Sequence, residues 1–229
     1  MLFEIYFFNL EAFKYYQFTE KTIMKGTLMN RFLFPVIAIF LLSCSGLTGS
    51  AKREFVDHTF HAVNPNISVK LSETFERYDQ LRDNEISFYS NSNSGTNTDI
   101  EKHIFVDRLH QREFTIIIMT LNRGYWRPNL NLGLPNTLEN GKMEKSGRQY
   151  YYAVYAYKSP NGTNHLVKRV ARSYGASNNV MITYYYFCPI DSALGNFDQW
   201  RALNGLNDDQ RNFLAQFKKD FEADVTLLK

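Results

Sequence analysis

Apolar positions recur with a period of two through most of residues 58–190, and the period lengthens to that of a helix after residue 206. Ile67-Ser68-Val69-Lys70-Leu71 alternates apolar with polar, the signature of a strand with one buried face. Ile86 and Phe88 mark a second strand, and 103–108 and 113–121 a third and fourth. Thr115-Ile116-Ile117-Ile118-Met119-Thr120 is β-branched and almost continuously apolar, so it is expected inside a sheet with both faces covered. Three more strands are expected over 149–158, 165–174 and 180–188. They are separated by Pro160-Asn161-Gly162 and by Gly175-Ala176-Ser177-Asn178-Asn179, residues that tolerate the left-handed backbone of tight turns. Connections this short force antiparallel pairing, so these strands form a meander.

The helical period begins behind a cap. Asn207 precedes Asp208, Asp209 and Gln210: the Asn side chain accepts from the first turn, Gln210 reaches back, and the two carboxylates favour the positive helix end. Leu206, Phe213, Leu214, Phe217, Phe221 and Val225 then fall near one face, which needs a sheet to cover. A shorter helix is expected over 197–203, ended by Gly205. Residues 91–99 read as a polar loop, and 124–147, with Pro128, Pro135 and several glycines, as a long excursion of the kind that is functional or mobile. The expected fold is α+β: an antiparallel sheet covered by a C-terminal amphipathic helix, as a single domain over 57–229. The element order is similar to that of PsbP-like domains, with an early Ile-Ser-Val strand, a central meander and a last helix on the sheet. That resemblance implies fold only.

Ahead of this domain stands Phe32-Leu33-Phe34-Pro35-Val36-Ile37-Ala38-Ile39-Phe40-Leu41-Leu42-Ser43-Cys44. As a helix the eleven residues from Phe32 to Leu42 would cover about 16 Å, against ~30 Å for a bilayer core. It is therefore too short to span, and has the length of a signal-peptide apolar region, preceded by the basic Lys25 and Arg31. Leu41-Leu42-Ser43-Cys44 resembles the lipobox of bacterial lipoproteins. The resemblance implies that 24–43 is removed, that the Cys44 thiol carries diacylglycerol, and that acyl chains anchor the protein to a membrane. With Ser45 after the Cys, it implies the outer membrane in a Gram-negative cell envelope. Residues 1–23 resemble no signal region, while Met24 and Met29 stand directly before the basic apolar block, so 1–23 reads as an upstream mis-start. Residues 44–56, small and polar at first, read as a flexible tether.

Charge excludes one class of partner. Four of the 26 basic and three of the 23 acidic residues fall before Cys44, so the remainder carries a net charge near +2, no footprint for nucleic acid. With only Cys44 and Cys188 present, a disulfide scaffold is excluded, and Cys188, at the end of an apolar strand, is expected to be structural. His58 and His61 lie in an extended segment, which points them to opposite sides, and no second ligand cluster follows. Neither a metal nor a cofactor is expected.

Two regions remain as candidates for chemistry. In Asp107-Arg108-Leu109-His110-Gln111-Arg112-Glu113, His110 with Asp107 or Glu113 would suit general-base work in a hydrolase or transferase; the other reading is a solvated turn. Tyr150, Tyr151, Tyr152, Tyr155 and Tyr157 on one strand and Tyr184, Tyr185, Tyr186 and Phe187 on another must point to both faces of the sheet. One face is core; the other needs helix cover or a ligand. Tyr125, Trp126 and Arg127, contact-type residues opening the long excursion, are expected to form one wall of a binding patch with Tyr155 and Tyr157. The expected role is that of a non-enzymatic envelope lipoprotein binding a protein, peptide or glycan partner. The alternatives are the His110 enzyme and a structural accessory subunit of an envelope complex.

Overall fold

The computed structural model describes residues 52–88, 95–125, 137–174 and 179–228, and within them the antiparallel pattern is divided between two sheets. Strands β1 (Arg53–Val56), β2 (Thr59–Ala62) and β3 (Ile67–Leu71) come first. Then follow β4 (Glu76–Phe88), β5 (Gly95–Asp107), β6 (Arg112–Leu121), β7 (Thr137–Lys145), β8 (Arg148–Lys158), β9 (Asn164–Tyr174) and β10 (Val180–Pro189). Helix α1 (Asp208–Asp224) runs directly into β11 (Val225–Leu227). The large sheet has the order β4-β5-β6-β10-β9-β8-β7 and the small one β1-β2-β3-β11, with antiparallel pairing throughout.

The apolar runs become the interior strands. β10 lies between β6 and β9, and all of Val180–Tyr186 is buried. β4, by contrast, is an edge strand carrying Glu, Arg and Asp with a register shift near Arg77, the kind of edge that resists pairing with other chains. The opposite edge, β7, falls inside the stretch expected as an irregular excursion. Its Asn140-Gly141 looks like turn chemistry, but Gly141 pairs with Tyr152, and a Cβ there would sit 3.2 Å from the Tyr152 ring. The glycine clears space for an aromatic ring on the neighbouring strand. Two further departures have local causes. The expected tether ends at Arg53, because Arg53 Nε donates to Glu101 Oε2 at 3.1 Å and Nη2 to the Asn64 carbonyl at 2.7 Å, tying β1 to the body. The expected short helix is instead two 3-10 turns, Phe197–Trp200 and Leu203–Gly205, separated by the extended Ala202.

The small sheet and α1 both pack on one face of the large sheet, forming one core that includes Phe60, Val69 and Leu71 from the small sheet and Leu214, Phe217 and Phe221 from the helix. The helix starts where expected: Asn207 and Gln210 form a reciprocal capping box. Its apolar stripe closes on Tyr186, whose ring lies 5.5 Å from Phe217 and 5.6 Å from Phe221. Charges fasten its last turns. Arg112 donates to Asp220 and to Asp224, each at 2.7 Å, and the Tyr186 hydroxyl donates to Asp224 at 2.6 Å. Trp200, fully buried, fills the space beside Phe213.

Phe221→Ala should destabilise the domain by about 3–5 kcal/mol, the range for emptying a buried aromatic site. Urea unfolding measures it; a loss below ~1 kcal/mol would show that the helix is not docked on Tyr186 as described.

Candidate functional site

Alternation along β8 and β10 sorts the tyrosines. Tyr150 and Tyr152 face the helix side with Tyr184 and Tyr186, while Tyr155, Tyr157, Tyr185 and Phe187 face the other. On that second face Ala153, Tyr155, Val167 and Tyr185 form a buried cluster, with Ile117, Tyr157 and Phe187 against it; every member comes from the large sheet itself. Arg169 stands on the same face, its guanidinium carbon 5.7 Å from the centre of the Tyr185 ring. Glu113 also lies there, not beside His110: it accepts from the Thr115 hydroxyl at 2.9 Å, and burial raises its carboxyl above the ordinary range.

The residues expected to form one patch are not assembled by the described part of the chain. Tyr155 is only 8% exposed. Tyr125 is exposed beyond the end of β6, and the strand registers set that end level with the start of β8, whereas Tyr155 and Tyr157 lie near the end of β8. Trp126 and Arg127 lie outside the described residues, as does Cys44.

His110 and Asp107 do meet, in the hairpin between β5 and β6. The His110 Nδ1–H donates to Asp107 Oδ2 at 2.6 Å, the His110 amide donates to Oδ1 at 3.1 Å, and the Thr74 hydroxyl donates to Oδ2 at 2.8 Å. The two His110 contacts close the turn, Thr74 ties it to the β3–β4 connection, and Gln111, at φ 56°, completes it. The Asp107 carboxyl is buried, which opposes its ionisation, yet the hydrogen bonds from His110 and Thr74 outweigh burial and hold it below its ordinary 3.8. Cys188 packs against the core, and burial pushes its thiol up to about 11, the reverse of what a nucleophile requires. His61 bonds Ser68 at 2.7 Å, and among the described residues no group of three His, Cys, Asp or Glu side chains is placed to hold a metal.

A cavity of about 460 Å³ opens at the far end of the sheet from this hairpin, under the β2–β3 connection. From Arg112 to Thr120, which lines the cavity, β6 runs about 27 Å at ~3.4 Å per residue. Its wall is built by Arg148, Arg172 and Tyr174, and its rim by Asn64 and Asn66. The Arg172 guanidinium carbon lies 5.0 Å from the Tyr174 ring centre and 5.7 Å from that of Tyr150; Arg148 lies 6.0 Å from Tyr174. Val180 and Ile182 of β10 pair with Tyr174 and Arg172 of β9, so the site rests on interior strands. The Tyr150 and Tyr174 hydroxyls are 3.5 Å apart, and burial raises the Tyr174 phenol further from ionisation. The Nη1 atoms of both arginines are buried without a hydrogen-bond partner, and among the described residues no carboxylate pairs with either side chain. The sequence carried a signal for this: residues 145–190 contain no Asp or Glu, although Arg148, Lys158, Lys168, Arg169 and Arg172 lie among them.

Compared with protein-family models, with curated proteins and with solved structures, the chain matches none.

Asp107→Asn should lower stability at pH 7 by about 1–3 kcal/mol, since three donors lose an ionised acceptor. A carboxyl depressed in the folded state stabilises above its unfolded pKa and loses that contribution as pH falls. The gap between the native protein and the variant should therefore narrow as pH drops below ~4. Urea titrations at pH 7, 4 and 2.5 measure it, and a gap constant across them would refute the ionised-acceptor role.

Proposed function

We propose that the protein is a lipid-anchored binding module of a bacterial cell envelope, held to the membrane through acylated Cys44, and that its domain recognises a ligand or envelope partner without transforming it. The observation that carries the binding role is the composition of the cavity. Its wall presents guanidinium and phenol groups in cation–π contact on a rigid sheet, which suit recognition, while the His110–Asp107 pair stands at the opposite end of β6 engaged in closing a turn. The lipobox-like Leu41-Leu42-Ser43-Cys44 after a short apolar run supports the anchor. The chain from Cys44 to Arg53, where β1 begins, can reach at most ~30 Å when fully extended, so the domain would work close to the bilayer surface.

Cys44→Ala should abolish acylation and precursor cleavage and move the protein out of the mature membrane-bound pool. Its unfolding midpoint should stay within error of the native one, because the domain begins beyond the anchor. Membrane fractionation with metabolic labelling by a fatty-acid analogue reads both; normal processing and labelling of the Cys44→Ala protein would sink the proposal.

A further inference from the structure

The cavity's two arginines pose a definite electrostatic problem. Each carries a fixed positive charge, both flank the Tyr174 ring, and each keeps one buried Nη1 with no acceptor among the described residues. Two other cations of the large sheet are answered by the helix: Lys168 of β9 has Glu222 at 3.2 Å, and Arg112 of β6 has Asp220 and Asp224. Two guanidinium groups that line one cavity, with no carboxylate of the described residues paired to either, indicate an acceptor that a ligand supplies.

We infer that this cavity is a binding site for a phosphate monoester, with Arg148 and Arg172 as a two-pronged clamp on the phosphoryl oxygens. Charge selects the class. A phosphate monoester carries close to two negative charges at neutral pH and three acceptor oxygens, and so matches two guanidinium groups. A carboxylate would leave one positive charge without compensation. Cation–π contacts, of Arg172 with Tyr150 and Tyr174 and of Arg148 with Tyr174, position the guanidinium groups before the ligand arrives, so little side-chain freedom is lost on binding. The volume exceeds what a phosphate alone fills, and the rim amides of Asn64 and Asn66 suit a hydroxylated ester group.

Two sources of that chemistry are a lipid headgroup and a soluble sugar- or glycerol-type phosphate. The cavity mouth stands beside the point where the tether enters the domain, for Arg53 Nη2 bonds the carbonyl of the rim residue Asn64 at 2.7 Å. That position makes the headgroup reachable and deepens the binding role proposed above. The two readings fail separately: the Cys44→Ala fractionation tests the anchor, and ligand titration of the full chain tests the clamp.

The experiment titrates the full-length chain in detergent with glycerol 3-phosphate by calorimetry, with glycerate as the carboxylate of matched size. The expected result is saturable one-site binding, at least tenfold tighter for the phosphate, and weakened at least tenfold by Arg148→Gln and by Arg172→Gln. Arg201→Gln, at an exposed arginine outside the cavity, should leave it unchanged. Thermal unfolding of each variant confirms folding, and Arg148→Lys and Arg172→Lys replace any Gln variant that fails it; they should bind with intermediate affinity. Mixed micelles containing phosphatidic acid that displace glycerol 3-phosphate, where phosphatidylcholine micelles do not, would assign the headgroup. No displacement by either would assign the soluble ester. Absence of saturable binding to the native chain, equal affinity for glycerate, or undiminished binding by folded variants of both arginines would overturn the inference.

Discussion

The contact between Tyr186 and the last two turns of α1 governs how the rest of the molecule is arranged. Tyr186 sits on the central strand β10, its ring between Phe217 and Phe221 and its hydroxyl on Asp224, which Arg112 also engages. Apolar packing provides the attraction, and the polar atoms dictate the register, because Asp224 would be a buried uncompensated charge in any other position along the sheet. With the helix held there, its following residues become β11 and pair with β3, so the placement of the small sheet depends on the same contact.

That placement distributes charge across a sheet whose own meander is free of acid from 145 to 190. The helix supplies the counter-charges where it lies: Glu222 reaches both Lys145 and Lys168, and Lys168 also stands 3.8 Å over the Phe221 ring. Glu222 goes to Lys145, the register partner of Arg148, and among the described residues no helix carboxylate pairs with Arg148 or Arg172, while the small sheet roofs that end with asparagines and a proline. The arginine-lined cavity is thus what remains where a short helix covers only part of a basic sheet.

The hairpin at 107–113 shows how dense polar sequence can serve two ends. A His three residues after an Asp is a reasonable acid–base pair, and it is equally the material from which a tight turn satisfies its own donors. In the structure both Asp107 oxygens are taken up by Thr74, the His110 ring and the His110 amide. Glu113, the other partner considered, follows the strand alternation to the opposite face, where it bonds Thr115.

Period and capping chemistry determined most of the elements by themselves. The three meander strands, the interior strand at 115–120 and the helix after Asn207 were legible, because alternation, β-branching and a capping box are local signals that tertiary context here reinforces. The division into two sheets, the strand at 137–145 around Gly141 and the joining of Arg53 to Glu101 were decided only in three dimensions, since each depends on a partner distant in sequence. So was the cavity. The absence of acid from 145 to 190 was visible in the chain, but which cations would find carboxylates and which would not was settled by where one helix came to rest.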